Sequence, residues 1–171
     1  MPEKNDFQNE LTGKIAGFLT EIGLAVCPAK LDGQTFLPGI LVSRGALLVD
    51  EKKLAFPGDL LHEAGHLAVA PAAYRAQLSD EVILPDVNLA LLEAQAILWS
   101  YAACLHLGIA PQIVFHEGGY RGRSEELLFN FSLGIFAGVG GLEEYGMTYA
   151  DRNAAKLGVA PFPQMRKWLR D

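Results

Sequence analysis

The chain has 171 residues, 50% hydrophobic and 20% charged, which is typical of one folded domain and excludes a largely disordered chain. Its formal net charge of −6 argues against nucleic acid or an anionic membrane as the main partner. Cys27 and Cys104 form no CxxC pair, and the polar N-terminus shows no signal-peptide pattern, so we expect a cytoplasmic protein.

Hydrophobic spacing predicts a first helix and then a small sheet. Apolar residues recur at helical intervals over residues 7–22, and Gly23 is a natural stop for this helix. Two apolar runs flank Arg44-Gly45 within residues 39–56, a pattern that is typical of a β-hairpin or of two short strands. The proline and glycine that follow at 57–58 end the second run.

The rest of the chain is expected to be mainly helical. Asp59 is placed to cap a helix that ends near Pro71, and Asp86 to cap a longer helix that runs to about Leu107 and is closed by Gly108.

Further along, Ser124 is expected to cap an apolar helix that includes the glycine-rich residues 134–141, and one or two shorter helices follow. Those glycines favour close helix packing, and without a lysine they do not resemble a phosphate-binding loop. The order predicts a mainly helical α+β fold in a single domain, residues 1–171, with the small sheet before the helix that begins near residue 59. The apolar stretch 87–110 is interrupted by Glu93, Gln95 and His106, so we expect no membrane span.

The segment HEAGH, residues 62–66, carries the strongest chemical signal. Positions four apart lie on one face of a helix, so His62 and His66 can aim their imidazoles at one zinc ion. Glu63 is one position round from His62, where it can hold and deprotonate a water molecule that the metal activates. Two buried histidines that are merely satisfied within a core are the structural alternative.

The third ligand has to come from elsewhere in the chain. A metzincin would have a histidine six residues after His66, where Ala72 stands, so that arrangement is excluded. Glu93 is the only acid inside the second long helix and is surrounded by apolar residues, where a carboxylate requires a partner. The alternatives are that Glu93 is a surface residue and that a substitute supplies the ligand, the candidates being His106, His116 and Glu81.

His62, Glu63 and His66, with Glu93 on a later helix, resemble the gluzincin metallopeptidases. The short chain, with a strand pair directly before the motif, is similar to the minimal gluzincins, which include small peptidases that cut phage and stress-response repressors. This resemblance covers roughly residues 40–107. The chain departs from the larger peptidases at Ile97, where they carry an aspartate, so the sequence does not identify what supports the histidine ligands.

The resemblance implies a zinc-dependent peptidase that hydrolyses a protein or peptide, with Zn²⁺ held by the two histidines and Glu93 and with Glu63 as general base. The oxyanion of the transition state needs a further donor. His116, Tyr120 and Tyr101 are candidates, although each is equally explained as a turn or core residue. A non-catalytic zinc-binding interaction module and another metal-dependent hydrolase are the competing hypotheses.

Overall fold

The structure, a computed structural model, describes residues 7–80 and 88–171. Seven α-helices lie in these residues: α1 (Glu10–Glu21), α2 (Asp59–Val69), α3 (Ala72–Arg75), α4 (Leu89–Leu107), α5 (Ser124–Ser132), α6 (Val139–Glu144) and α7 (Asp151–Leu157). The strands are β1 (Ala25–Pro28), β2 (Ile40–Ser43) and β3 (Ala46–Val49), and Pro111–Ile113 and Tyr120–Gly122 form short 3₁₀ helices. The predicted α+β class is confirmed.

The three strands form one sheet in the order β1-β3-β2. The predicted hairpin is confirmed: β2 and β3 pair antiparallel on either side of Arg44-Gly45, whose φ angles of 49° and 74° match the tight two-residue turn. β1 pairs parallel with β3 and was not predicted. Its four residues are mostly exposed and show no apolar alternation that would have revealed it.

The first helix is confirmed, although it begins at Glu10. The side chain of Asn9 accepts hydrogen bonds from the backbone N–H groups of Leu11 and Thr12, which caps the helix at this point. Its apolar face is buried in the core through Ile15 and Leu19.

The caps of the two long helices differ from expectation. Gly58 is the N-cap of α2, so Asp59 is the first helical residue, and its carboxylate binds His116 instead of capping. Asp86 lies outside the described residues, and Asn88 caps α4 by accepting from the backbone N–H of Leu91. Gly108 closes α4 with a left-handed φ of 63°, as predicted.

The single helix predicted after Ser124 is wrong, because α5 ends at Ser132 and α6 begins at Val139. Ser124 is itself helical and its hydroxyl donates to the carbonyl of His116 (2.6 Å), so it does not cap. The glycines between the helices adopt conformations that favour glycine, with φ of 72° at Gly134 and 101° at Gly138. One further helix, α7, follows.

Close helix packing at the glycine-rich segment is confirmed. A Cβ at Gly138 would lie 3.1 Å from the Cβ of Ala94, and one at Gly141 would lie 1.9 Å from Nε2 of Gln95. Both contacts are with α4, so the segment's small residues let α6 approach that helix.

α4 is apolar enough to merit a comparison with a membrane span. Among the described residues, Ala90–Leu107 is long and apolar enough to cross a membrane by length and composition, with a mean hydropathy of 1.2. In the fold, 44% of this window is buried within the protein. The core helix of a soluble protein meets the same criterion, so the feature is only a weak indication of a span.

α2 and α4 pack against each other at very close range. A Cβ added to Gly65 would lie 2.7 Å from the carbonyl oxygen of Ala96 and 3.2 Å from its Cα, so only glycine permits this approach. Leu61 and Ala64 on α2 and Trp99 on α4 are fully buried around the contact.

Two arginines bind the carbonyl end of α2. Arg75 donates to the carbonyl oxygens of Leu67 (2.9 Å) and Ala70 (3.0 Å), and the backbone N–H of Arg170 donates to Ala68 (2.9 Å). These bonds satisfy carbonyls that have no partner within the helix, and they tie the C-terminal segment to α2.

We predict that Gly65→Ala lowers the free energy of unfolding by about 1–3 kcal/mol, because the added methyl overlaps the backbone of α4. Gly140→Ala is the matched control, since a Cβ at Gly140 in α6 meets no atom within 4 Å and removing a helical glycine should stabilise by up to about 1 kcal/mol. Urea unfolding of both variants measures the difference. Equal effects at the two positions would contradict the packing argument.

Candidate metal centre

His62 and His66 face the same point from successive turns of α2. Their Nε2 atoms lie 3.2 Å apart, and the rings meet edge to face with centroids 4.7 Å apart. The His62 side chain is 13% exposed and that of His66 is 34% exposed, so the pair is sheltered but open on the side of His66.

Glu93 reaches the same point from α4. Its Oε1 lies 3.4 Å from Nε2 of His62 and its Oε2 lies 3.1 Å from Nε2 of His66. Zinc–ligand distances of 2.0–2.1 Å in a tetrahedron place neighbouring ligand atoms about 3.3 Å apart. The separations between these three side chains, 3.1–3.4 Å, therefore match three corners of a zinc tetrahedron.

Glu63 lies beside the two histidines. Potential ligand atoms of Glu63, His62 and His66 all lie within 4.8 Å of one another, so the HExxH residues form a group close enough to bind a metal. Glu93 is the better third ligand, because its two oxygens approach both Nε2 atoms within 3.4 Å. Glu63 is left to face the cleft that it lines with His66 and Asp80.

Burial and nearby charges set the protonation of the centre. Burial, together with the charge on His66, lowers the pKa of His62 to about 4, so its imidazole is neutral at pH 7, as a metal ligand must be. Burial raises the pKa of Glu63 to about 7, opposed by His66 and helped by Asp80 and Glu93.

The contact between His66 and Glu93 shifts both groups. Burial opposes a charge on either one, but the hydrogen bond to Glu93 holds the pKa of His66 above its usual value. The same bond holds the pKa of Glu93 below its usual value, against burial. A cation bound at this point would take the place of a proton on His66 and would have the carboxylate of Glu93 beside it.

The ring nitrogen of His62 that faces away from Glu93 lacks a supporting contact in the described residues. This atom, Nδ1, is buried and has no hydrogen-bond partner among the described residues. A zinc-ligating histidine usually donates this N–H to a carboxylate or carbonyl. This agrees with the sequence, in which Ile97 stands where the larger gluzincins carry an aspartate.

Of the three candidate transition-state stabilisers, Tyr120 is the one that the structure places against a metal-ligand candidate. Its ring packs edge to face on His62 with centroids 5.2 Å apart. Its hydroxyl is buried beside the Ser100 hydroxyl, and no hydrogen bond of normal geometry joins it to another group in the described part of the chain. Tyr120 and Arg121 both have left-handed φ angles, 54° and 55°, a conformation that costs about 1–2 kcal/mol for each non-glycine residue.

Backbone strain of this kind clusters at functional sites. Here it holds the Tyr120 ring against His62 and brings the charge of Arg121 near Glu93, where it helps to lower the pKa of that carboxyl. The sequence carried only a weak signal for this turn, namely glycines on both sides of Tyr120 and Arg121.

His116 is engaged with the start of α2. Its Nε2 donates to Oδ1 of Asp59 (2.8 Å), both side chains are about nine-tenths buried, and its ring stacks on Phe56 at 3.7 Å. Sequence reasoning missed this pair because Asp59 and His116 are 57 residues apart. The contact ties the segment before Tyr120 to the helix that carries the motif.

Tyr101 and His106 pack against aromatic rings. Tyr101 packs in an aromatic cluster with Phe131 at 4.4 Å, and His106 packs between the rings of Phe18 and Trp168. Glu81 lies outside the described residues.

No protein-family model matches this chain, and searches of curated proteins and of solved structures also return no match. The similarity to gluzincins therefore rests on the site residues and their arrangement.

We predict that Glu93→Gln weakens zinc binding more than about 10-fold, because the amide removes the negative charge that faces both histidines. Competition with a chromophoric chelator measures the affinity. Glu125→Gln, which neutralises an exposed acid in the first turn of α5, is the matched control and should leave the affinity unchanged. Unaltered affinity in Glu93→Gln would exclude Glu93 as the third ligand.

Proposed function

We propose that the protein is a zinc-dependent peptidase of the gluzincin type. The observation that supports this most strongly is the set of 3.1–3.4 Å separations between His62, His66 and Glu93, with Glu63 beside them in a cleft. Two imidazoles and one carboxylate on two packed helices are a donor set that suits a catalytic zinc ion.

Zinc bound by these residues would supply Lewis-acid polarisation of a peptide carbonyl and would lower the pKa of a water molecule. Glu63 then accepts the proton from the attacking water. It passes this proton to the departing amine, which leaves the carboxylate ready for another cycle. A pKa of about 7 for Glu63 in the metal-free protein places it near the range where one group can both accept and return a proton at neutral pH.

Tyr120 is the proposed donor to the oxyanion. Its hydroxyl forms no hydrogen bond of normal geometry among the described residues, with Ser100 as the polar group beside it, and its ring packs edge to face on the ring of His62. A donor that is positioned before the substrate arrives requires no reorganisation during the reaction.

The composition of the ligand group favours catalysis over a structural role. Structural zinc sites usually fill all four positions with protein ligands, mostly cysteine and histidine. Neither cysteine belongs to the HExxH ligand group in the described chain, and Glu63, a second carboxylate beside the histidines, is not needed in a structural site. We further propose that the substrate is a protein or peptide. The protein would act in the cytoplasm, without nucleic acid or membrane partners.

We predict that Glu63→Gln keeps zinc bound and loses hydrolysis of a peptide substrate, with kcat reduced at least about 100-fold, because the amide cannot accept a proton. Zinc content by atomic absorption and turnover of a quenched-fluorescent peptide library give the two readouts. Cleavage by the variant at the wild-type rate would contradict the mechanism, and loss of zinc would show that Glu63 is a ligand.

We predict that Tyr120→Phe lowers kcat by about 100-fold or more while it lowers the free energy of unfolding by no more than about 1 kcal/mol, since the lost hydroxyl has only Ser100 beside it and no hydrogen bond of normal geometry in the described residues. Steady-state kinetics and urea unfolding separate the two effects. Tyr101→Phe is the control, because that side chain packs in the aromatic cluster away from the ligand contacts, and its kcat should stay near the wild-type value. A normal kcat for Tyr120→Phe would remove Tyr120 from the mechanism.

A further inference from the structure

A cleft of about 230 Å³ opens directly beside the candidate metal centre. Its lining residues are Phe36, Leu37, Ile40, Glu63, His66 and Asp80. Sites for small molecules usually occupy about 300–1,000 Å³, so this one has room for a side chain rather than for a complete ligand. We call it the Asp80 cleft.

Three of the residues that line the Asp80 cleft are apolar. Phe36 is 90% exposed, which makes it an unusually open aromatic side chain, whereas Leu37 is half-buried and Ile40 is 2% exposed. An exposed aromatic ring beside a site offers contact area for a hydrocarbon chain and a π face for a cation.

Asp80 supplies a carboxylate to the lining of the same cleft. Its Oδ1 accepts from the backbone N–H of Val42 (2.9 Å), and its backbone N–H donates to the carbonyl of Val42 (3.1 Å). Ser79 and Leu78 are bound to the hairpin turn by two further bonds, from Arg44 N–H (3.0 Å) and Gly45 N–H (2.8 Å). Asp80 is therefore held in place before any ligand arrives.

This carboxylate has no cationic partner within the described residues, where the ion pairs of the chain involve other acids. The cleft thus combines apolar side chains with one carboxylate that no cation balances in the described residues, which suits a side chain that has a long hydrocarbon stem and a positive end.

We propose that the Asp80 cleft binds an arginine or lysine side chain of the substrate, with the stem on Phe36, Leu37 and Ile40 and the positive head group on Asp80. This assignment rests on the proposed function, because it names the substrate class of that site. It predicts cleavage of peptides beside a basic residue.

Binding to the zinc-loaded Glu63→Gln protein tests the proposal without requiring turnover. The probes are two fluorescently labelled peptide pools with randomised uncharged residues around one fixed position, which is arginine in one pool and citrulline in the other. Citrulline keeps the shape of arginine and lacks its charge. We expect the arginine pool to bind about 10-fold more tightly or better by fluorescence anisotropy.

Asp80→Asn in the same background should bring this ratio close to one, because the amide oxygen still accepts from Val42 N–H while the negative charge is gone. Glu125→Gln, which removes one negative charge from α5, should keep the wild-type ratio. Equal binding of the two pools, or no binding of either, overturns the proposal, as does an unchanged ratio in Asp80→Asn.

Cleavage of the pools by the wild-type chain separates this proposal from the proposed function. Preferred binding of arginine without cleavage of either pool would support the Asp80 cleft and overturn the peptidase. Cleavage of both pools at equal rates, with equal binding, would support the peptidase and overturn the cleft assignment.

Discussion

The backbone contact between Gly65 and Ala96 is the constraint on which the candidate site depends. It brings α2 and α4 close enough for a carboxylate on one helix to reach imidazoles on the other. Glu93 is three residues before Ala96, and His62 and His66 are close to Gly65, so the packing contact and the ligand cluster share one face of each helix. α2 is restrained at both ends as well. At its start, a Cβ on Gly58 would lie 2.0 Å from the carbonyl oxygen of Ile113, and at its end Arg75 and Arg170 bind its last carbonyls.

Two energetically unfavourable features lie at the candidate site. His62 Nδ1 is buried without a partner in the described chain, and two consecutive non-glycine residues at 120–121 are left-handed. Each feature costs free energy that the surrounding core has to offset. Their coincidence around one pair of histidines is what a site built for a ligand, rather than for stability, would show.

The parts that could be predicted from sequence depend on local spacing. Helical periodicity places His62 and His66 on one face, and two apolar runs around Arg44-Gly45 indicate the hairpin. The apolar neighbours of Glu93 made it the candidate for the third ligand. The rest depends on contacts between distant residues or on glycine geometry. Examples are the Asp59–His116 pair, the parallel strand β1 and the break between α5 and α6, where Gly134 and Gly138 turn the chain. No local pattern encodes such contacts.

Residues 78–80, bound along the outer edge of β2, have a consequence for self-association. An edge strand with free N–H and C=O groups is a template for pairing with another chain. Here Val42 already spends both of its outward groups on Asp80, and the opposite edge strand β1 ends in Pro28, which has no N–H to donate. Each edge of this small sheet is thus blocked at one residue against strand-by-strand pairing with another chain.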